Sequence, residues 1–259
     1  MSALAASISG VGYWSDGLPD WTAARAFAAG GTLPTDAPAR PAPQLLAPNE
    51  RRRAPPSVLV ALEVALAACR DAGRDPASLP SVFASTHGDL GITDYMCATL
   101  AGTPTDVSPT KFHNSVHNAA AGYWTIGSGC MRTATAISAH RATFAQGLLE
   151  ALSQLATDTD AVLLVGYDTA SSGLLGTITH SEGLLGAALV LTRTGTGPRL
   201  VATLEDGEAA GGAGVLATRG RANAMAPMLP LLDALATGAA HLDLHAGPGR
   251  RLRLDLAHG

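Results

Sequence analysis

Gly129-Cys130-Met131-Arg132-Thr133-Ala134-Thr135-Ala136-Ile137-Ser138-Ala139-His140 is the stretch whose reading decides the fold. Its extended, partly β-branched run passes without a glycine or proline break into a segment rich in Ala and Leu. There Phe144, Leu148, Leu149 and Leu152 recur at helical spacing, which predicts a helix from Ile137 to about Leu155. A strand running directly into a helix holds the junction side chain rigidly near the positive end of the helix dipole. Many α/β enzymes place a nucleophile at such a junction, so the residue standing there bears on function.

The flanking sequence repeats the same strand-and-helix alternation. Ala161-Val162-Leu163-Leu164-Val165-Gly166 is a continuous apolar run, as expected of a parallel strand buried on both faces. Upstream, Leu4 to Gly12 reads as a buried first strand, and Asp20 to Ala29 as a helix capped by Asp20 and stopped by Gly30-Gly31. Thr32 to Pro48 has no periodicity and reads as a loop. Asn49 is the expected cap of a helix that breaks near Pro55-Pro56 and continues to Asp71. Ser81 to His87 is strand-like, and Asp94 to Leu100 is a short amphipathic helix. Ser108-Pro109-Thr110 predicts a helix start, and one helix is expected from Pro109 to Trp124. Gly183 to Arg193 and Leu200 to Glu205 are expected as a strand pair joined through Gly195-Thr196-Gly197-Pro198. Met225 to Ala236 makes one more helix, and His241 to His245 and Arg251 to Leu256 make two terminal strands.

Thr133-Ala134-Thr135-Ala136-Ile137-Ser138-Ala139-His140 resembles the Thr-Ala-Cys-Ala-x-Ser-Ala-His stretch of β-ketoacyl synthases, with Thr135 at the position of the nucleophilic cysteine. Asn114 to Gly122, in which Asn118 follows Asn114 four residues later, resembles the Asn-x-x-x-Asn helix that precedes the nucleophile strand in that family, where family dimers meet. The resemblance implies an α/β, thiolase-like fold, with a mixed, mainly parallel sheet covered by helices. It implies one domain over 1–259, with 1–193 matching the family's first half and 194–259 forming a short, divergent remainder of a truncated second half. No His-Gly-Thr-x-Thr and no Gly-Phe-Gly-Gly segment follows.

A ketosynthase cysteine acts as a thiolate, and a threonine hydroxyl does not ionise near neutral pH. The resemblance therefore implies a chain length factor without a catalytic residue of its own, of the short type found in aryl polyene and polyketide pathways. Its expected partner is an active β-ketoacyl synthase, in a heterodimer that works on acyl carrier protein thioesters. Phe112, His113, Asn114, Val116, His117, Thr135 and His140 are the expected pocket or interface residues. No metal or redox cofactor is implied. The alternative is an independent acyl hydrolase or acyltransferase using Cys130 or Ser128, with His113, His117 or His140 as base.

His113 and His117 have the i, i+4 spacing of helical metal ligands, but Asn114 stands where a zinc-protease helix carries glutamate. Ser128 lacks the Gly-x-Ser-x-Gly elbow, because Ile126 replaces the first glycine. With 47% hydrophobic and 15% charged residues the chain can bury a large core. A net charge of −4 and no basic run beyond Arg51-Arg52-Arg53 argue against a nucleic-acid partner. Three cysteines without CxxC spacing or a secretion signal point to a reducing cytoplasm, and no apolar run reaches the length of a membrane span.

Overall fold

The computed structural model describes residues 3–157 and 159–258. Its strands are β1 (Leu4–Ser15), β2 (Ser81–Ala84), β3 (Ala134–Ile137), β4 (Ala161–Asp168), β5 (Leu185–Thr192), β6 (Arg199–Asp206), β7 (His241–Gly247) and β8 (Arg250–Ala257). They form one eight-stranded sheet in the order β3-β2-β4-β5-β1-β6-β8-β7. The sheet is mixed, as expected, but it is not mainly parallel. Parallel pairing is confined to β3-β2-β4, and every other neighbouring pair is antiparallel. The apolar runs of β4 and β5 report burial on both faces, which does not by itself fix direction. Nor do β5 and β6 pair with each other as expected: β1 lies between them, antiparallel to both.

Helices cover both faces. On one lies α3 (Pro56–Asp71), with Leu59, Leu62, Val64 and Cys69 among its buried residues. It packs against Trp14, Phe83, Trp124 and Tyr167 in one apolar cluster. The approach of α3 to β1 is close: a Cβ on Gly12 would lie 2.0 Å from the Val64 carbonyl oxygen. On the opposite face lie α7 (Thr143–Thr157), α8 (Val215–Gly220), α9 (Leu229–Thr237) and α1 (Trp21–Ala28), around a second cluster that includes Phe144, Leu148, Leu152 and Leu155. Asp20 caps α1 as expected, accepting from Ala23 N. The cap before α2 (Pro48–Arg53) is Ala47, not Asn49; Pro48 takes the first turn, where its missing N–H costs nothing.

Two expected helices are shorter than the sequence suggests. The segment from Pro109 to Trp124 divides into α5 (Pro109–His113) and α6 (Ala119–Ser128), following α4 (Leu90–Gly102). Ser115 Oγ donates back to Phe112 O at 2.8 Å, and the His117 ring is drawn to Ser85 O, so local side-chain bonds replace helical ones. The helix expected from Ile137 begins at Thr143. Ahead of it, Thr143 Oγ1 accepts from Ala139 N at 2.9 Å and donates to His140 O at 2.6 Å, which closes a tight turn. His140 in that turn has φ 52° and is the only non-glycine residue with positive φ among the described residues.

The far edge of the sheet curls back towards this turn. Gln146 Nε2 on α7 donates to Ala246 O on β7 at 2.9 Å, which brings the last hairpin beside the strand-to-helix junction. Among the described residues no helix is long and apolar enough to cross a membrane.

Candidate functional site

Three parallel strands, β2, β3 and β4, end on the same side of the sheet, and their C-terminal loops are stitched together. Asp168, fully buried at the end of β4, accepts from Ser85 Oγ at 2.7 Å, Thr86 N at 2.9 Å and His87 N at 3.2 Å. Ser138, after β3, donates its hydroxyl to Thr86 O at 3.0 Å. Asn223 Nδ2 donates to Glu182 O at 2.9 Å and fixes the loop that follows β4. Burial pushes the Asp168 carboxyl above its ordinary value, and the bonds from Ser85, Thr86 and His87 oppose that push.

Above these loop ends lies a cavity of about 600 Å³. Thr86, His87, His140 and Arg141 line one wall, Thr179 and His180 a second, and Asp243 and His245 from β7 a third. Carboxyl ends of parallel strands are where open α/β sheets hold ligands. Thr179 Oγ1 lies 2.6 Å from His87 Nε2. Burial moves the His87 pKa down, with His140 adding to the shift and the Asp168 charge opposing it. Arg251 holds Asp243 at 3.3 Å, and Glu208 lies 4.0 Å from His245. Among the described residues no group of three or more His, Cys, Asp or Glu side chains is arranged to hold a metal ion.

The residues singled out from the sequence divide between this cavity and a neighbouring surface. His140 lines the cavity at the strand-to-helix turn. Thr135 does not stand at that turn: it lies within β3, half-buried and paired in register with Val82, because the chain stays extended to Ile137 before turning. His113 and His117 do not share a helical face. The His113 ring meets Tyr123 edge-on at 5.8 Å, while His117 Nε2 donates to Ser85 O at 2.8 Å. Asn114 is buried, with its side-chain oxygen unpartnered. Phe112 is 61% exposed, so it is not core. The alternative nucleophiles are both held in structural roles. Ser128 Oγ donates to Trp124 O at 2.7 Å within α6, and Cys130 is buried with its thiol donating to Leu79 O at 3.3 Å. Burial pushes the Cys69 thiol up to about 12.

Sequence reasoning passed over His87, Thr179, His180 and His245. The one local signal was Thr86-His87-Gly88 directly after a buried strand, a place where glycine permits a sharp turn and a side chain is presented at the sheet edge.

The second surface is the outer edge of the sheet. Among the described residues β3 pairs only with β2, so its other side presents backbone groups unpaired within them. Beside it, Ile126 on α6 is 80% exposed and Met131 is 95% exposed. The His113–Tyr123 contact joins this apolar surface to the segment that carries Phe112 and Val116, both exposed.

Residues 21–248 match the family model described as beta-ketoacyl synthase, N-terminal domain, and the chain belongs to that family. No curated protein matches it. Among solved structures, the chain is similar to one from a ketosynthase in complex with its chain length factor from Xenorhabdus doucetiae, at 21% identity and TM-score 0.75, covering 97% of this chain and 99% of that one. It is also similar to a chain of the ishigamide ketosynthase/chain length factor, at 14% identity and TM-score 0.73, covering 98% and 99%. A β-ketoacyl synthase from Burkholderia phymatum STM815 aligns at 17% identity and TM-score 0.61, over 89% of this chain and 70% of that one. These likenesses establish the thiolase-like, ketosynthase fold.

Proposed function

We propose that this chain is a chain length factor: a ketosynthase-like subunit that pairs with an active β-ketoacyl synthase and shapes the pocket in which an acyl chain grows. The observation that carries this reading is the open edge of β3 flanked by exposed Ile126 and Met131. An unpaired strand beside exposed apolar side chains is costly to leave in water, and a second sheet of the same fold satisfies both needs at once. The similarity to chains from two ketosynthase/chain length factor complexes supports this partner over others. The chain's lack of a usable thiol at the strand-to-helix turn, where His140 stands, supports a role without independent condensation.

On this reading the condensing partner carries the nucleophile, and the substrates are acyl carrier protein thioesters in the cytoplasm. The product class is an aryl polyene pigment or a related polyketide-type or fatty-acid-type chain. Thr135 belongs to the paired edge, and Phe112 and Val116 border the acyl pocket. The test is co-expression with a ketosynthase encoded beside the gene, followed by condensation assays with each subunit omitted in turn. Extension is expected only when both are present. Condensation by this chain alone, or failure of every such ketosynthase to bind it, refutes the proposal.

A further inference from the structure

We infer that the cavity and a second hollow adjoining it form one elongated binding site for a long-chain monocarboxylate, with the carboxylate at Arg141 and Arg221 and the apolar tail in the second hollow. The second hollow has a volume of about 510 Å³ and lies between α1, α9 and the last hairpin. Ala28, Val215, Ala234 and Leu242 give it apolar walls. Both spaces fall within the range of small-molecule sites, about 300–1,000 Å³. Ala210, Gly211, Gly212, Pro230 and Asp243 line both, so the two share a wall. Most of that wall is a strap held only at its ends. At one end Gly207 N donates to Gly249 O at 2.9 Å, and Glu208 Oε1 accepts from Gly249 N at 3.0 Å. At the other, Gly214 packs against Asp233, whose carboxylate accepts from Leu216 N and Ala217 N, both at 2.9 Å. Between these ties, among the described residues, the backbone of 209–213 makes no hydrogen bond and carries only alanine and glycine. Such a segment shifts at little cost, and its shift lets a flexible chain lie across both spaces.

Charge decides which end of the ligand lies where. The acidic side chains around the two spaces are engaged: Asp243 by Arg251 at 3.3 Å, Glu208 by Gly249 N, and Asp233 by the first turn of α8. In the second hollow Arg253 has Asp255 at 3.4 Å. Arg141 and Arg221 differ: both line the first cavity, both are exposed, and among the described residues neither guanidinium makes an ion pair or a hydrogen bond. The uncompensated charge is therefore positive and sits at the first cavity alone. A guanidinium fork binds a carboxylate through paired N–H bonds. An acyl chain carried as a thioester has no carboxylate, so the ligand is a free acid and not the substrate of the proposed pair.

The experiment needs no ketosynthase, so its failure leaves the partner reading untouched. The full chain is titrated with cis-parinaric acid, a conjugated tetraene acid that fluoresces in apolar surroundings, below the concentration at which the acid forms micelles. Saturable binding at one site is expected, with displacement by dodecanoate and at least about tenfold weaker displacement by methyl dodecanoate, the loss of a charge-assisted bond. Arg141→Gln combined with Arg221→Gln should weaken binding about tenfold or more for the same reason. Val215→Trp, at a position 44% exposed in the second hollow, should block the tail. Circular dichroism checks that each variant folds. In the unaltered protein, hydrogen exchange measured by mass spectrometry should slow on binding in peptides spanning 207–217, a readout that needs no variant. No saturable binding, equal displacement by acid and ester, or binding indifferent to both the arginine pair and Val215→Trp would overturn the inference. So would binding lost in Ile126→Asp, which would place the acid on the open sheet edge instead.

Discussion

The carboxylate of Asp168 accepts the Ser85 hydroxyl at 2.7 Å, joining the ends of two neighbouring parallel strands at the floor of the cavity. The same carboxylate also takes the backbone N–H groups of Thr86 and His87. Asp168→Asn would leave one acceptor oxygen and present an amide to donors that need acceptors. It should cost about 1–3 kcal/mol, the price of an unsatisfied buried group, read as a lowered urea midpoint with unchanged slope. A variant as stable as the parent would show that water replaces the lost bonds.

His87 titrates below the ordinary histidine value of 6.5, because burial disfavours its charged form. The groups that face it are Asp168, whose carboxylate holds its backbone N–H, His140 on the same wall of the cavity, and the Thr179 hydroxyl against its ring. The folded-state value lies under the unfolded one, so the unfolded chain binds more protons between them. The stability this group contributes is therefore complete above pH 6.5 and declines as pH falls through the folded-state value. Nuclear magnetic resonance of the imidazole carbons, assigned by comparison with His87→Gln, should give a midpoint below 6.5; one above it contradicts the expectation.

Gly12 has no room for a side chain, since the obstruction is the Val64 carbonyl in the backbone of α3. Gly12→Ala must push α3 away from β1 and should lower stability by about 3 kcal/mol or more, visible in thermal melts. A change under about 0.5 kcal/mol would mean that the helix shifts freely over the sheet.

Ile126 is exposed on α6 next to the open strand edge. Ile126→Asp should change the stability of the isolated chain by less than about 0.5 kcal/mol. Within the paired complex it buries an unpaired charge and should weaken binding by about 3 kcal/mol, a hundredfold in Kd. Titration calorimetry with the ketosynthase partner measures this, and an unchanged Kd would move the contact surface elsewhere.

Phe112 stands 61% exposed in the free chain. If it closes the end of the acyl pocket in the complex, Phe112→Ala opens space for a longer product while primer condensation continues. Product masses shifted upward are the expected result. An unchanged distribution would assign Phe112 to the contact surface alone.

Much of the architecture was legible because single stretches carried it. The apolar run Ala161 to Gly166 could only be a deeply buried strand, and Ser108-Pro109 marked a helix start that the structure keeps. Pairing was less legible. Nothing local in β5 and β6 tells that β1, from the other end of the chain, separates them. The cavity was hardest to read, because His87, His140, Thr179 and His245 meet only after the last hairpin curls over to α7. The motif around Thr135 drew attention to the right junction. The local reading missed that the strand continues past it and that the turn falls at His140.

The position of β1 in the middle of the sheet bears on how the molecule comes into being. Leu4–Ser15 is made early, but its hydrogen-bonding neighbours are residues 185–192 and 199–206. During synthesis this strand has no edge to join until β5 and β6 have been made, while Ser81–Ala84 is closer in sequence to its neighbours, Ala134–Ile137 and Ala161–Asp168. Closure of such long loops is slow, so this apolar strand stays unpaired until those later residues have been made. Its glycines Gly10 and Gly12, which the packing of α3 requires, also lower the strand propensity of this segment and so its readiness to pair wrongly while it waits.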